Sequence, residues 1–208
     1  MEDADAAACA EAVWHLRPVL AGELEKNGME RLYREIEFPL CRVLYRMENR
    51  GICIDREQLR QFGDMLSRRI SDCETLIFSY SGGEFNINST RQLGELLFEK
   101  LGLPPVKKTK TGYSTNAEVL EKLKNKHPII PAIMDYRMLT KLKSTYADGL
   151  MKEIREDGRI HTTFQNLVTA TGRLSSTEPN LQNIPVRTDL GAEIRKCSFP
   201  SPAACWWT

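Results

Sequence analysis

The sequence predicts an α+β fold that is mainly α, with long antiparallel helices followed by the beginning of an antiparallel sheet. Three observations carry that prediction. Apolar residues recur at helical spacing over most of residues 6 to 154. Helix-start signals stand at Asp55, at Ser89-Thr90-Arg91-Gln92 and at Thr115-Asn116-Ala117-Glu118. Beyond Asp157-Gly158 the texture turns β-branched and alternating.

In chain order, Val13, Leu16, Leu20 and Leu24 mark one face of a helix from Ala6 to about Lys26, and Asn27-Gly28 ends it. A second helix fits Glu30–Glu48, striped by Leu32, Ile36, Leu40, Val43, Leu44 and Met47. Pro39 should kink it, because proline has no N–H to give the preceding turn. Asn49-Arg50-Gly51 turns the chain into a short extended piece, Ile52-Cys53-Ile54. Asp55 then caps a long helix to about Ser79, with Leu59, Phe62, Leu66, Ile70 and Leu76/Ile77 inward.

Ser89 and Thr115 open helices ending near Leu101 and Lys124. The lysine-rich stretch between them, bounded by Pro104-Pro105, reads as an exposed loop. A last long helix follows Pro128 and ends near Ile154, with Leu139, Leu142, Tyr146 and Leu150 as its apolar row. Arg137, Lys141 and Ser144, at spacings of four and three, should share another face. Arg159–Phe164 and Leu167–Thr171 read as strands.

Composition is that of an ordinary soluble domain, 41% hydrophobic and 27% charged. No apolar run approaches the roughly 20 residues a membrane span needs, and the acidic start carries no leader pattern. Cys9, Cys41, Cys53, Cys73, Cys197 and Cys205 are scattered without zinc spacing, as expected of thiols in a reducing, cytoplasmic compartment. The net charge of +1 hides a skew: residues 1–99 hold 12 Lys/Arg against 18 Asp/Glu, and residues 100–145 hold 10 against 3. The basic block suits a polyanion, or serves equally as a solvated lysine face.

The densest run of donors is Thr169-Ala170-Thr171-Gly172-Arg173-Leu174-Ser175-Ser176, followed by Pro179-Asn180-Leu181-Gln182-Asn183-Ile184-Pro185. Hydroxyls and amides suit phosphate oxygens, and arginine suits base edges and sugar oxygens. The plain alternative is that such amides satisfy their own turns.

These strings resemble, nearly letter for letter, the segment that opens the palm in family A DNA polymerases. The likeness extends over roughly residues 30 to 197. Ile36-Glu37-Phe38-Pro39-Leu40 and Asn49-Arg50-Gly51-Ile52-Cys53-Ile54-Asp55 look like the first thumb helix and its exit. Glu84–Ser89 and Lys107–Thr115 look like the thumb tip, and Tyr136-Arg137 with Lys141–Tyr146 like the returning helix. The resemblance implies 1–30 as the last helix of a 3′–5′ exonuclease-like domain, 31–157 as thumb and 158–197 as the start of the palm. Asp3 falls where that exonuclease's final metal-binding aspartate would lie, but an ordinary acidic helix start explains it better. Gln165-Asn166-Leu167 departs from the family's Asn-Gln-Thr, though the strand should survive.

The family's roles, carried to matching residues, imply a primer–template duplex as partner. Lys107, Lys108 and Lys110 would approach it near the thumb tip. Arg137, Lys141, Lys143, Ser144 and Thr145 would hold its phosphates. Arg173 would reach the minor groove near the primer end, and Asn180, Gln182 and Asn183 the sugar–phosphate backbone. Such contacts accept any sequence and weaken with salt.

The intact family enzyme uses Mg2+ and a dNTP, clamped by aspartates in Asp-Tyr-Ser and His-Asp-Glu motifs. Neither motif occurs here. No cofactor and no catalytic residue is therefore expected in these 208 residues, and a monomer inactive as a polymerase is expected. Residues 198–208 read as a frameshifted tail: moved by one base, Cys205-Trp206-Trp207-Thr208 encodes an apolar residue and then Leu-Val-Asp, a string many relatives carry before a metal-binding aspartate. A genuine aromatic tail is the competing reading. For the chain as a whole, the alternatives are a stand-alone DNA-binding module and a non-functional pseudogene product.

Overall fold

The computed structural model describes residues 2–106, 108–109, 112–185 and 189–197, with the side chains of 2–5 and 108–109 set aside. The elements run α1 (Glu2–Lys26), α2 (Glu30–Leu32), a π-helical turn (Tyr33–Glu37), α3 (Phe38–Arg50), β1 (Ile52–Cys53) and α4 (Arg56–Ser81). There follow α5 (Thr90–Glu95), a second π turn (Leu96–Lys100), β2 (Lys108–Thr109), β3 (Gly112–Tyr113), α6 (Ala117–Leu123) and α7 (Ile129–Leu142). A third π turn (Lys143–Ala147) leads to α8 (Asp148–Glu153), β4 (Arg159–Ile160), β5 (Thr163–Gln165), β6 (Ser175–Thr177) and α9 (Asp189–Cys197). The mainly α class of α+β fold is as the sequence predicts. Each sheet has two antiparallel strands: β1–β4, β2–β3 and β5–β6.

The chain forms two compact units, and neither is contiguous in sequence. One comprises residues 1–51 and 161–178. Its expected second helix is present and continues through Pro39, the position expected to perturb it. The chain widens into the π turn just before α3, where Phe38 N–H donates to the Tyr33 carbonyl, and this accommodates the missing proline donor. The expected apolar stripe exists without being buried. Leu44 is buried, while Ile36 and Val43 are more than half exposed. Glu48 ties the hairpin to α3: its carboxylate accepts from Phe164 N–H at 2.6 Å, and its carbonyl meets His161 Nδ1 at 2.7 Å.

β5 pairs with β6 in the register Thr163↔Thr177, Phe164↔Ser176 and Gln165↔Ser175. The expected strand at Leu167–Thr171 is absent. Leu167 and Val168 are 82% and 68% exposed in the bend joining the two strands. A β-branched run does not become a strand without a partner edge to pair with. Within the segment that departs from the family pattern, Asn166 Nδ2 donates to Glu37 Oε2 at 3.0 Å.

The second unit comprises residues 52–160 and 179–208 and holds the buried cores. α4 is its spine. Asp55 caps it as expected, its carboxylate accepting from the amides of Glu57 and Gln58, each at 3.0 Å. Gly82, at φ 74°, closes it in the left-handed conformation that glycine adopts freely. Leu59, Phe62, Leu66 and Ile77 face inward, whereas Leu76 is 45% exposed. α4 packs along α7. One apolar cluster gathers Leu93, Leu97, Leu120, Leu123, Ile129, Ile130 and Ile133 at one end, and another gathers Leu59, Leu66, Leu139, Leu150 and Ile160 at the other.

The caps of the two short helices differ from the sequence reading. Ser89 accepts from Gln92 N–H, but the Gln92 side chain reaches back to Asn86 N–H at 2.8 Å instead of completing the box. At the next helix Asn116 is the cap, accepting from Val119 N–H at 3.0 Å. Thr115 lies one residue outside and is buried. Residues 189–197, to which the sequence reading assigned no element, form α9. There Leu190, Ile194 and Cys197 recur at helical spacing and pack on the second cluster.

Candidate nucleic-acid interface

Most of the residues singled out from sequence lie in the second unit, along α7, the π turn that follows it and the segment at 180–183. Arg137 is half-buried on α7. Its guanidinium donates to the Thr115 carbonyl and, at 3.2 Å, to Thr115 Oγ1. Burial lowers its pKa, and the fork nonetheless keeps its charge. Arg137 therefore joins α7 to the start of α6, and it is half-buried where Lys141 and Ser144 are exposed.

Lys141 is exposed, with no side-chain partner among the described residues. Ser144 and Thr145 are also exposed, and Ser144 Oγ donates to the Lys141 carbonyl at 3.3 Å. Lys143 differs. Its ammonium donates to both carboxylate oxygens of Asp148, at 2.7 and 3.0 Å.

The π turn sets this arrangement. Residues five apart stand well round from one another on an α-helix, but the wider π turn brings them nearly into line. Asp148 N–H donates to the Lys143 carbonyl, so the backbone closure and the ion pair join the same two residues. A methyl group on Gly149 would stand 3.2 Å from the Ser144 carbonyl, so this turn leaves little room.

The segment at 180–183 is held beside this helix from beneath. Leu181 and Ile184 pack against the apolar cluster, and the buried Tyr146 hydroxyl donates to the Asn183 carbonyl. Burial raises the pKa of that hydroxyl, which keeps it a donor. Asn180, Gln182 and Asn183 are exposed. Asn180 also uses its side-chain oxygen locally, accepting from Gln182 N–H at 3.0 Å. That is the self-satisfied turn of the plain reading, and it leaves the Asn180 amide N–H2 pointing elsewhere.

Lys107 and Lys110 lie outside the described residues, and Lys108 is described only as a backbone partner of Tyr113 in β2–β3. The tail at 198–208 also lies outside them. Arg173 belongs to the other unit, where it is exposed at the turn before β6 and its carbonyl accepts from Thr169 Oγ1. Sequence reasoning missed Thr115, Tyr146 and Asp148 as partners. Tyr146 was visible only as a core residue, and an i, i+5 ion pair has no signature on a regular helix.

The fold places a run of polar and basic side chains on a helix that carries a π turn, and family comparison defines its class. Residues 56–208 match the model of DNA polymerase family A, and the chain belongs to that family. It is 50% identical over 191 residues to DNA polymerase I of Bacillus subtilis, covering 91% of this chain and 22% of that protein. It is 53% identical over 178 residues to DNA polymerase I of Caldicellulosiruptor bescii, covering 85% and 21%. The POL domain of Pol1 from M. smegmatis, solved with DNA primer-template and dNTP, superposes with a TM-score of 0.80 at 43% identity, covering 90% of this chain and 33% of that one. The chain thus spans about a fifth of the length of the curated relatives it matches.

Proposed function

We propose that this chain grips primer–template duplex DNA as the thumb and first palm segment of a DNA-directed DNA polymerase serving replication and repair synthesis. The observation that carries the reading is the bond from Tyr146 to Asn183. It sets the exposed amides of 180–183 beside the helix that bears Lys141, Ser144 and Thr145. One cation, hydroxyls and amides suit the sugar–phosphate backbone and read no base, as an enzyme indifferent to sequence requires. Arg173, Lys107, Lys108 and Lys110 join the reading through the family pattern. So do Arg137 and Lys143, although both are engaged within the protein. A monomer working in the cytoplasm completes it.

We propose further that these 208 residues alone do not join nucleotides. The residues present do not fit the family's two-metal clamp. The sequence has neither aspartate motif, and among the described residues no three His, Cys, Asp or Glu side chains approach closely enough to share an ion.

The test is fluorescence anisotropy of a labelled primer–template duplex between 50 and 200 mM salt, values at which phosphate-dominated binding changes steeply. Lys141→Ala should weaken binding to every sequence alike and flatten the log–log salt dependence by about 0.9, one phosphate contact. Unchanged affinity and slope would remove the duplex-binding reading. Primer extension with Mg2+ and dNTPs should be absent, and any extension would overturn the proposed inactivity.

A further inference from the structure

We propose that Asp148 is a positioning residue that occupies Lys143 in the free protein, standing where a DNA phosphate would otherwise bind, and releases it when duplex arrives; this rests on the duplex-binding reading above. Lys143 is one position from the exposed Ser144 and two from the exposed Thr145 and Lys141, yet it alone of the four is only 29% exposed and is held in an ion pair. Its partner is anchored. Asp148 opens α8, and its own amide closes the π turn on the Lys143 carbonyl, so the carboxylate is fixed relative to the lysine backbone.

The bidentate contact, 2.7 and 3.0 Å, mimics the way an ammonium meets two phosphate oxygens. Asp148 is itself 49% exposed, so the pair lies within reach of solvent salt and of an approaching polyanion. The same shallow groove is lined by Arg60, Asp64 and Lys152. Arg60 is engaged by Glu57 and Asp64, so it does not compete for Asp148. On the α4 side, therefore, the opposite charges are already matched; on α8, Lys152 lies four residues beyond Asp148 and lines the same groove, but it is exposed and the carboxylate's close contacts are with Lys143.

An exchange of partners makes a prediction that a simple staple does not. While Asp148 is present, each Lys143–phosphate contact requires breaking an ion pair, and the freed carboxylate recruits a cation as the phosphate sheds one. The salt dependence therefore under-reports this contact. Removing the carboxylate charge should make the contact appear as an ordinary one.

The experiment measures duplex affinity against salt for the full chain and for Asp148→Asn, Lys143→Ala, the double variant and Lys141→Ala, with Asp148→Ala as a second route to the same charge removal. Melting curves confirm that each is folded. Asp148→Asn should tighten binding by up to about eightfold at 0.1 M salt and steepen the salt slope by about 0.9, the value of one phosphate contact. Both gains should vanish in the Lys143→Ala background. Gains that persist without Lys143 would mean that Asp148 acts by bulk charge, and the proposal fails. A flat response to Asp148→Asn with a clear loss in Lys141→Ala also defeats it while leaving the duplex-binding reading intact. If Lys141→Ala changes nothing either, the reading itself falls, and the proposal with it.

Discussion

Replacing Arg137 by alanine separates a role in folding from a role in DNA contact. In the structure the guanidinium is half-buried and makes two hydrogen bonds to one residue, Thr115, which is 4% exposed. Hydrogen bonds to a charged donor are worth about 1.5–3 kcal/mol each, and a buried carbonyl left without a donor costs about 1–3 kcal/mol. The two bonds share one side chain and one partner, so their losses overlap, and a total of about 2–4 kcal/mol is expected. With a urea dependence of about 2 kcal/mol per molar, the middle of the usual range, the unfolding midpoint should fall by roughly 1–2 M.

Far-UV circular dichroism against urea reads this directly. Thr115→Val deletes only the Oγ1 acceptor, so it should cost about 1 kcal/mol, because the carbonyl keeps its donor. Arg137→Lys should fall between wild type and Arg137→Ala, since a single ammonium cannot reproduce the fork. If Arg137→Ala unfolds at the wild-type midpoint while its duplex affinity drops, the side chain belongs to the DNA contact and the link to Thr115 is incidental.

Three further perturbations test the framework. Gly191→Ala would drive a methyl group into the Pro185 carbonyl oxygen, where backbone must move, so about 3 kcal/mol should be lost; an unchanged Tm would contradict the packing of α9. Asp55→Ala removes the acceptor for two amides at the start of α4 and should lower stability by about 1 kcal/mol in urea, with Asp55→Ser retaining most of it; equal losses in both variants would argue against capping. Burial, then the charges of Asp55 and Glu193, push the Cys197 thiol above its ordinary pKa, so less of it is the reactive thiolate at any given pH. Iodoacetamide followed by peptide mass mapping should therefore modify the exposed Cys9 and Cys41 first and reach Cys197 only as pH rises further or urea is added. Rapid labelling of Cys197 at pH 8 would refute its burial.

Much of the fold was legible because it rests on local rules. The cap at Asp55, the left-handed close at Gly82 and the inward rows of α4 and α7 each follow from residues within a few positions of one another. The family was legible as well, since strings such as Thr169–Ser176 and Pro179–Pro185 identify it letter by letter. α9 carries its own helical period in Leu190, Ile194 and Cys197, a signal that the sequence reading passed over. Leu167–Thr171 erred the other way: β-branched composition predicted a strand, but pairing depends on a partner edge that composition does not supply.

The sequence by itself determined the family, most of the helical elements and the inventory of basic and amide side chains. Only tertiary structure decided which of those side chains remain available. Arg137 meets Thr115 across 22 residues, and Tyr146 meets Asn183 across 37. No periodicity encodes either separation. Lys143 meets Asp148 at a spacing that a regular helix would turn apart, and it does so because one turn of that helix is π. Sequence patterns assume an unbroken 3.6-residue ladder, while the packing of Tyr146, Ala147 and Leu150 against the core accompanies the extra residue in that turn. The physical reason is that local propensity fixes backbone type within a few residues, whereas partner choice is settled by which surfaces the folded chain brings together.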